Sequence, residues 1–195
     1  MFTGIIEQIG TIKEIYLNGT NRTFWIESSF TNELKIDQSV SHNGVCLTVE
    51  AIRDSLYQVT AVDETLQKTN IIHWEIGSPI NLERCMPLNG RIDGHLVQGH
   101  VDTTASCISI KEKNGSWEYS FEIDVSFSSF IIEKGSIAVN GISLTIFNIT
   151  RNQFTVAIIP FTYTHTNIHA IIEGEKVNIE FDLIGKYVNR IKNIK

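Results

Sequence analysis

The sequence predicts an all-β protein built as two tandem, homologous, small closed β-barrels with a short C-terminal α-helix. Three observations carry this. Ile, Val and Thr make up 60 of the 195 residues, with Ile alone at 31, while Ala is 6 and Leu 10. β-Branched side chains suit a pleated, half-buried surface and lose rotamer freedom in a helix, which argues against a helical bundle. Residues 39–84 align with residues 136–181 at a constant offset of 97 without a gap, with 14 identities in 46 pairs. Average residue usage gives about three by chance. In the tail, Leu183, Ile184, Tyr187, Val188, Ile191 and Ile194 recur at helical spacing.

The repeat sets the organisation. Ser39-Val-Ser-His-Asn-Gly-Val-Cys-Leu-Thr48 matches Ser136-Ile-Ala-Val-Asn-Gly-Ile-Ser-Leu-Thr145, and Ile80-Asn-Leu-Glu83 matches Val177-Asn-Ile-Glu180. The identical positions include Asn, Gly, Thr and Glu, so the likeness is more than two segments rich in strand formers. At an offset of 95, Thr3–Glu7 lies over Gln98–Asp102. We therefore expect a first domain over 1–90, a second over 94–182 and a helical tail over 183–195. The connection carries Pro87, Gly90 and Gly94, which break regular structure.

In the first copy, Ile5–Ile12, Thr23–Glu27, Val45–Ile52, Tyr57–Val62 and Ile80–Glu83 read as strands. Asn43-Gly44 and Asn140-Gly141 read as tight turns, since Gly takes positive φ freely and Asn tolerates it. Glu64–Lys68 reads as one helical turn. Short strands at this spacing suit a barrel, which closes its own sheet edges.

Charge and composition exclude several functions. The net charge is −6, with no basic patch through the body of the chain, so nucleic acid is not an expected partner. The longest apolar runs, such as Val156–Phe161, are about six residues, against about 20 for a membrane span. The N-terminus lacks a basic start and meets Glu7, unlike a signal peptide. Cys46, Cys85 and Cys107 are odd in number and unpaired in spacing. A cytoplasmic protein with free thiols and no disulfide framework is expected. His42, His73, His165 and His169 show no ligand spacing, so no metal is expected.

Met1-Phe-Thr-Gly-Ile-Ile-Glu7, the paired Asn-Gly-x-x-Leu-Thr segments and Gly94-His-Leu-Val-Gln-Gly-His-Val-Asp102 together resemble riboflavin synthase, from Met1 to about Tyr187. The resemblance implies six-stranded Greek-key barrels and a homotrimer held by the tail helices. It implies conversion of two molecules of 6,7-dimethyl-8-ribityllumazine into riboflavin and 5-amino-6-ribitylamino-pyrimidinedione. A four-carbon unit passes between them at a subunit interface, without metal or cofactor. Two homologous barrels suit a reaction between two copies of one ligand, because holding both makes the encounter effectively unimolecular. Nothing in the sequence bears on association with lumazine synthase.

The resemblance also implies binding residues. In the first barrel these are Gly4, Ile5 and Ile6; Cys46, Leu47 and Thr48; and Thr60, Ala61, Val62, Asp63, Glu64 and Thr65. In the second they are Gly99, His100 and Val101; Lys134; Ser143, Leu144 and Thr145; and Ala157, Ile158, Ile159, Pro160, Phe161 and Thr162. The catalytic candidates are His100 as base or proton relay, Ser143 as the group that adds to the ring or orients a water, Thr145 in support, and Cys46. Each has a plainer reading: Ser and Thr after Asn-Gly as turn and edge residues, His100 as a structural residue, Cys46 as a small core-lining side chain. His95 reads as positioning the start of the second barrel. The copies differ in chemistry: Cys46 aligns with Ser143, His42 with Val139, Ile5 with His100 and Asp63 with Pro160.

Two positions depart from the family pattern. Asn140 stands where an acid is common, and Phe161 stands where Pro-Glu-Thr is common. Asp182 matches a family carboxylate and offers partial compensation. The rival function is a non-catalytic lumazine- or flavin-binding antenna, as in the lumazine proteins of luminous bacteria. Retention of His100, Ser143 and Gly99-His-Val-Asp102 favours the enzyme.

Overall fold

The computed structural model describes residues 1–193. The first half contains β1 (Gln8–Asn18), β2 (Asn21–Glu27), β3 (Ser39–His42), β4 (Val45–Thr48), β5 (Ala51–Arg53), β6 (Leu56–Ala61), α1 (Asp63–Lys68) and β7 (Pro79–Arg84). The second contains β8 (Thr103–Glu112), β9 (Trp117–Glu122), β10 (Ser136–Val139), β11 (Ile142–Phe147), β12 (Gln153–Ile158), α2 (Pro160–His165) and β13 (Lys176–Phe181). The tail forms α3 (Leu183–Asn193). Ile194 and Lys195 of the expected tail lie outside the described residues.

The second half is a closed barrel in the order β10-β11-β12-β9-β8-β13. The first half follows the same circuit, β4-β3-β7-β1-β2-β6-β5, but its hydrogen-bonded ring is open. Its end strands, β4 and β5, are neighbours in the chain, separated by Val49 and Glu50. The single strand expected over Val45–Ile52 is thus broken where β11 runs on unbroken. Both Asn-Gly turns form as expected, with φ of 47° and 81° at Asn43-Gly44 and 45° and 79° at Asn140-Gly141.

Alternating strand residues fill each barrel. β6 buries Tyr57, Val59 and Ala61, and β12 buries Phe154, Val156 and Ile158. The first core adds Ile12, Phe24, Ile26, Ile80 and Leu82, and the second Tyr119, Phe121, Val177 and Ile179. One interior pair differs in kind. His42 Nε2 lies 2.8 Å from the Tyr57 hydroxyl inside the first barrel, where the second has Val139 and Phe154.

The halves meet at a buried seam of six asparagines, three from each copy of the repeat. The Asn70 N–H donates to Asn178 Oδ1 and the Asn167 N–H to Asn81 Oδ1, both at 2.7 Å. Asn81 Nδ2 donates to the Asn140 carbonyl at 3.0 Å, and Asn178 Nδ2 to the Asn43 carbonyl at 2.9 Å. Each bond has its twin at the offset of 97, so the seam has approximate twofold symmetry. Buried amides left unpaired are costly, so this reciprocal pairing fixes how the barrels sit against each other.

The expected first strand starts late. Ile5–Glu7 is not strand, and β1 opens at Gln8. The reason is that this arm crosses to the other barrel. Ile6 packs on the second core and Val101 on the first. The arms also meet each other, with the Phe2 N–H on the Val97 carbonyl at 2.7 Å and the return bond at 3.1 Å.

Candidate active site

Each arm is anchored in its own barrel by a buried glutamate. Glu83 accepts from the Thr3 N–H and Oγ1 at 2.6 and 2.8 Å, and from the Gly4 N–H at 2.9 Å. Glu180 accepts from the N–H groups of Gln98, Gly99 and His100 at 2.6, 2.9 and 2.9 Å. Burial pushes both carboxyls above the usual carboxylate range, against the pull of these donors.

From these anchors the arms reach across. The Ser143 N–H donates to the Gly4 carbonyl and the Cys46 N–H to the Gly99 carbonyl, both at 2.8 Å. Gly4 and Gly99 hold φ of 75° and 80°. A Cβ on either would sit 2.6 Å from the Cβ of Ser143 or Cys46, so only glycine admits the crossing.

This regroups the expected sites. The first shelf joins Cys46, Leu47 and Thr48, together with Thr60–Thr65 on β6 and α1, to Gly99, His100 and Val101 of the second half's arm. The second joins Ser143, Leu144 and Thr145, with Ala157–Thr162 on β12 and α2, to Gly4, Ile5 and Ile6. Each arm was expected to serve its own barrel and instead serves the other. His100 therefore accompanies Cys46 rather than Ser143.

Within the shelves, Leu47, Ala61 and Ile158 turn their side chains into the barrels. Ile5, Val62, Ile159 and Phe161 are exposed. Thr60 bonds Thr23 Oγ1 and Glu50, Asp63 accepts from Gln67, and Glu64 pairs with Lys68 at 2.7 Å. Phe161 stacks on His165 with ring centroids 4.0 Å apart. Thr145 is exposed, and the Lys134 ammonium lies over Phe147. Asn140 lies in the seam, where its Oδ1 accepts from the Asn178 N–H at 2.8 Å. The amide oxygen fills a structural acceptor's place there.

The group that sequence reading undervalued is His95. It is buried, and its Nδ1 lies 2.7 Å from Ser143 Oγ. Burial lowers its pKa below the ordinary histidine value, with Asp182 opposing. In the tautomer that carries its proton on Nε2, a neutral His95 can accept the Ser143 hydroxyl proton at Nδ1, an arrangement suited to general-base chemistry. Among the described residues, no imidazole is bonded to Cys46, the counterpart of Ser143. Burial raises its thiol above the ordinary value, against the Ser39 hydroxyl, so the reactive thiolate is disfavoured. Among the described residues, no group of three or more His, Cys, Asp or Glu side chains is placed to hold a metal ion. None of the described helices is long and apolar enough to cross a membrane.

The lumazine binding domain family matches this chain twice, at residues 3–85 and 98–182. Riboflavin synthase of Bacillus subtilis (strain 168) is 41% identical over 191 residues, covering 97% of this chain and 89% of that protein. The chain belongs to the riboflavin synthase family. Riboflavin synthase of Mycobacterium tuberculosis (strain ATCC 25618 / H37Rv) is 36% identical over 198 residues, covering 98% of both chains. The crystal structure of LumP complexed with riboflavin has the same fold, with a TM-score of 0.86 at 24% identity over 93% of this chain and 99% of that one. As a family member the chain is a transferase of riboflavin biosynthesis, with two lumazine-binding repeats.

Proposed function

We propose that the chain converts two molecules of 6,7-dimethyl-8-ribityllumazine into riboflavin and 5-amino-6-ribitylamino-pyrimidinedione. One molecule gives up a four-carbon unit and the other receives it. Atoms balance with no further reactant. The observation that carries this reading is the His95–Ser143 pair at one shelf only, which gives two otherwise similar sites different chemistry. Ser143 Oγ adds to C7 of the pteridine ring as its proton passes to His95 Nδ1. Main-chain groups of the arm and of β11 read the ring edge, and Thr145 and Thr162 meet the ribityl chain. The other shelf holds the second molecule against Gly99–Val101, with His100 exposed beside it for proton transfer.

Neither shelf encloses a ligand within one chain, as the exposure of Ile5, Val62, Ile159 and Phe161 indicates. Ile184, Tyr187, Val188 and Ile191 also form an exposed apolar stripe on α3, spaced three and four residues apart. Both facts support a homotrimer in which α3 packs on its copies and the first shelf of one chain faces the second shelf of a neighbour. Three free cysteines suit the reducing cytoplasm.

The test is incubation of the full chain with the lumazine alone, followed by riboflavin absorbance. Steady turnover without added cofactor supports the reading. LumP structures with riboflavin and with 6,7-dimethyl-8-ribityllumazine favour a second reading, ligand holding without turnover. Co-purifying fluorescence with no riboflavin formed is the result that selects it.

A further inference from the structure

Asp102 closes the arm that carries His100 and Val101. Its N–H donates to the Ile179 carbonyl at 2.9 Å, and its Oδ2 accepts from the Phe181 N–H at 2.9 Å. The carboxylate also takes Lys186 Nζ at 3.1 and 2.9 Å, from the first turn of α3. The pair is largely shielded, with side chains 22% and 21% exposed. Lys186 also draws on Glu180, the arm's other anchor, and Asp102 draws on Lys68 of α1 beside the first shelf.

The matching position in the first half is Glu7. It accepts from the Arg84 N–H at 2.6 Å, as Asp102 accepts from Phe181. Its cation, however, is the Arg84 guanidinium itself, at 2.9 Å from Nε, on a strand of the same barrel. The second half has moved the cation off the strand, where Phe181 stands, and onto α3. One arm is thus locked internally and the other by a separate helix whose apolar stripe is exposed.

We propose that Asp102 and Lys186 are positioning residues that make the arm wall of the first shelf, His100–Val101, depend on the seating of α3, while the wall of the second shelf does not. This rests on the reading that Gly99–Val101 lines a ligand site.

The experiment compares the full chain with Lys186→Met, Asp102→Asn, the double variant and Lys186→Arg. Backbone amide hydrogen exchange needs no ligand. Lys186→Met should speed exchange in residues 98–102 and leave 3–7 unchanged. Titration with 6,7-dimethyl-8-ribityllumazine should show one of two sites weakened roughly three- to tenfold, with the double variant no worse than the singles and Lys186→Arg restoring binding. Light scattering at the same concentration reports assembly. Unchanged exchange at 98–102, equal acceleration in both arms, or additive losses would overturn the proposal. If the parent chain binds no lumazine, the ligand reading fails, and the exchange pattern still decides whether Lys186 governs the arm.

Discussion

His95 Nδ1 sits 2.7 Å from Ser143 Oγ, while Cys46, at the aligned position in the other copy, has no imidazole bonded to it among the described residues, and burial raises its thiol above the ordinary value. Both residues stand second in a β-strand that follows an Asn-Gly turn, and each donates its N–H to the carbonyl of a glycine on the arm from the opposite barrel. The difference between them lies in one imidazole supplied by the connection between the barrels, and it has measurable consequences.

Ser143→Ala and His95→Gln should each lower kcat by about 10²–10⁴-fold, the range for a general base and its partner. Cys46→Ala should cost far less. In the proposed mechanism His95 acts as the neutral base, and burial holds its pKa below the ordinary histidine value, so kcat/KM should fall on the acid side only below about pH 6.5. Stopped-flow absorbance across pH 5–8 checks this. An unmoved acid limb in His95→Gln would remove His95 from the chemistry.

The His42–Tyr57 pair should make stability depend on pH. Burial lowers the His42 pKa from 6.5 to about 4, with the Val45 and Val40 carbonyls opposing. The unfolded chain therefore takes up a proton that the folded chain refuses. Stability from this group is complete above about pH 6.5 and is lost as pH falls toward 4, by roughly 3 kcal/mol in all. His42→Val with Tyr57→Phe, the pair found in the second barrel, should flatten that dependence in urea unfolding between pH 4 and 8.

Asn81 joins the halves at two points, through its Oδ1 to the Asn167 N–H and its Nδ2 to the Asn140 carbonyl. Asn81→Ala leaves both partners buried and unpaired, at about 2–5 kcal/mol. Melting should fall by about 5–15 °C. Asn178→Ala should match it, as the seam's symmetry requires. A strongly unequal pair of losses would show that the two sides of the seam are not equivalent.

Ile184→Glu with Ile191→Glu places charge on the exposed stripe of α3. Because those side chains are exposed in the single chain, its melting temperature should stay within a few degrees once assembly is accounted for. Light scattering should show the proposed trimer replaced by monomer, and turnover should fall with it. A monomeric variant with full specific activity at high dilution would place the whole site in one chain.

Much of the fold was legible because repetition is a strong signal. The constant offset gave the barrels, the Asn-Gly turns and the paired β6–α1 and β12–α2 units. What the offset does not carry is partner exchange. Alignment matches Gly4 with Gly99 and Cys46 with Ser143, but equivalence says nothing of which Gly meets which strand. For the same reason the six asparagines were visible as identities while their pairing across the seam was not. His95 lies outside the aligned segments, so it had no counterpart to draw attention to it. Val49–Glu50 read as strand because its alternation continues, and the break between β4 and β5 leaves that pattern intact.

The crossing arms also bear on where such a chain comes from. A single half has an arm that reaches outward and a groove that receives one, so two copies of that half complete each other about a twofold axis. That is the form of a domain-swapped homodimer. Joining the copies through the stretch around Pro87 makes the exchange permanent. It also frees each copy to change alone, and His95, between the two repeats, stands beside Ser143 on one side. Held in one polypeptide, two shelves of one design carry different side chains, Cys46 at one and Ser143 with His95 at the other.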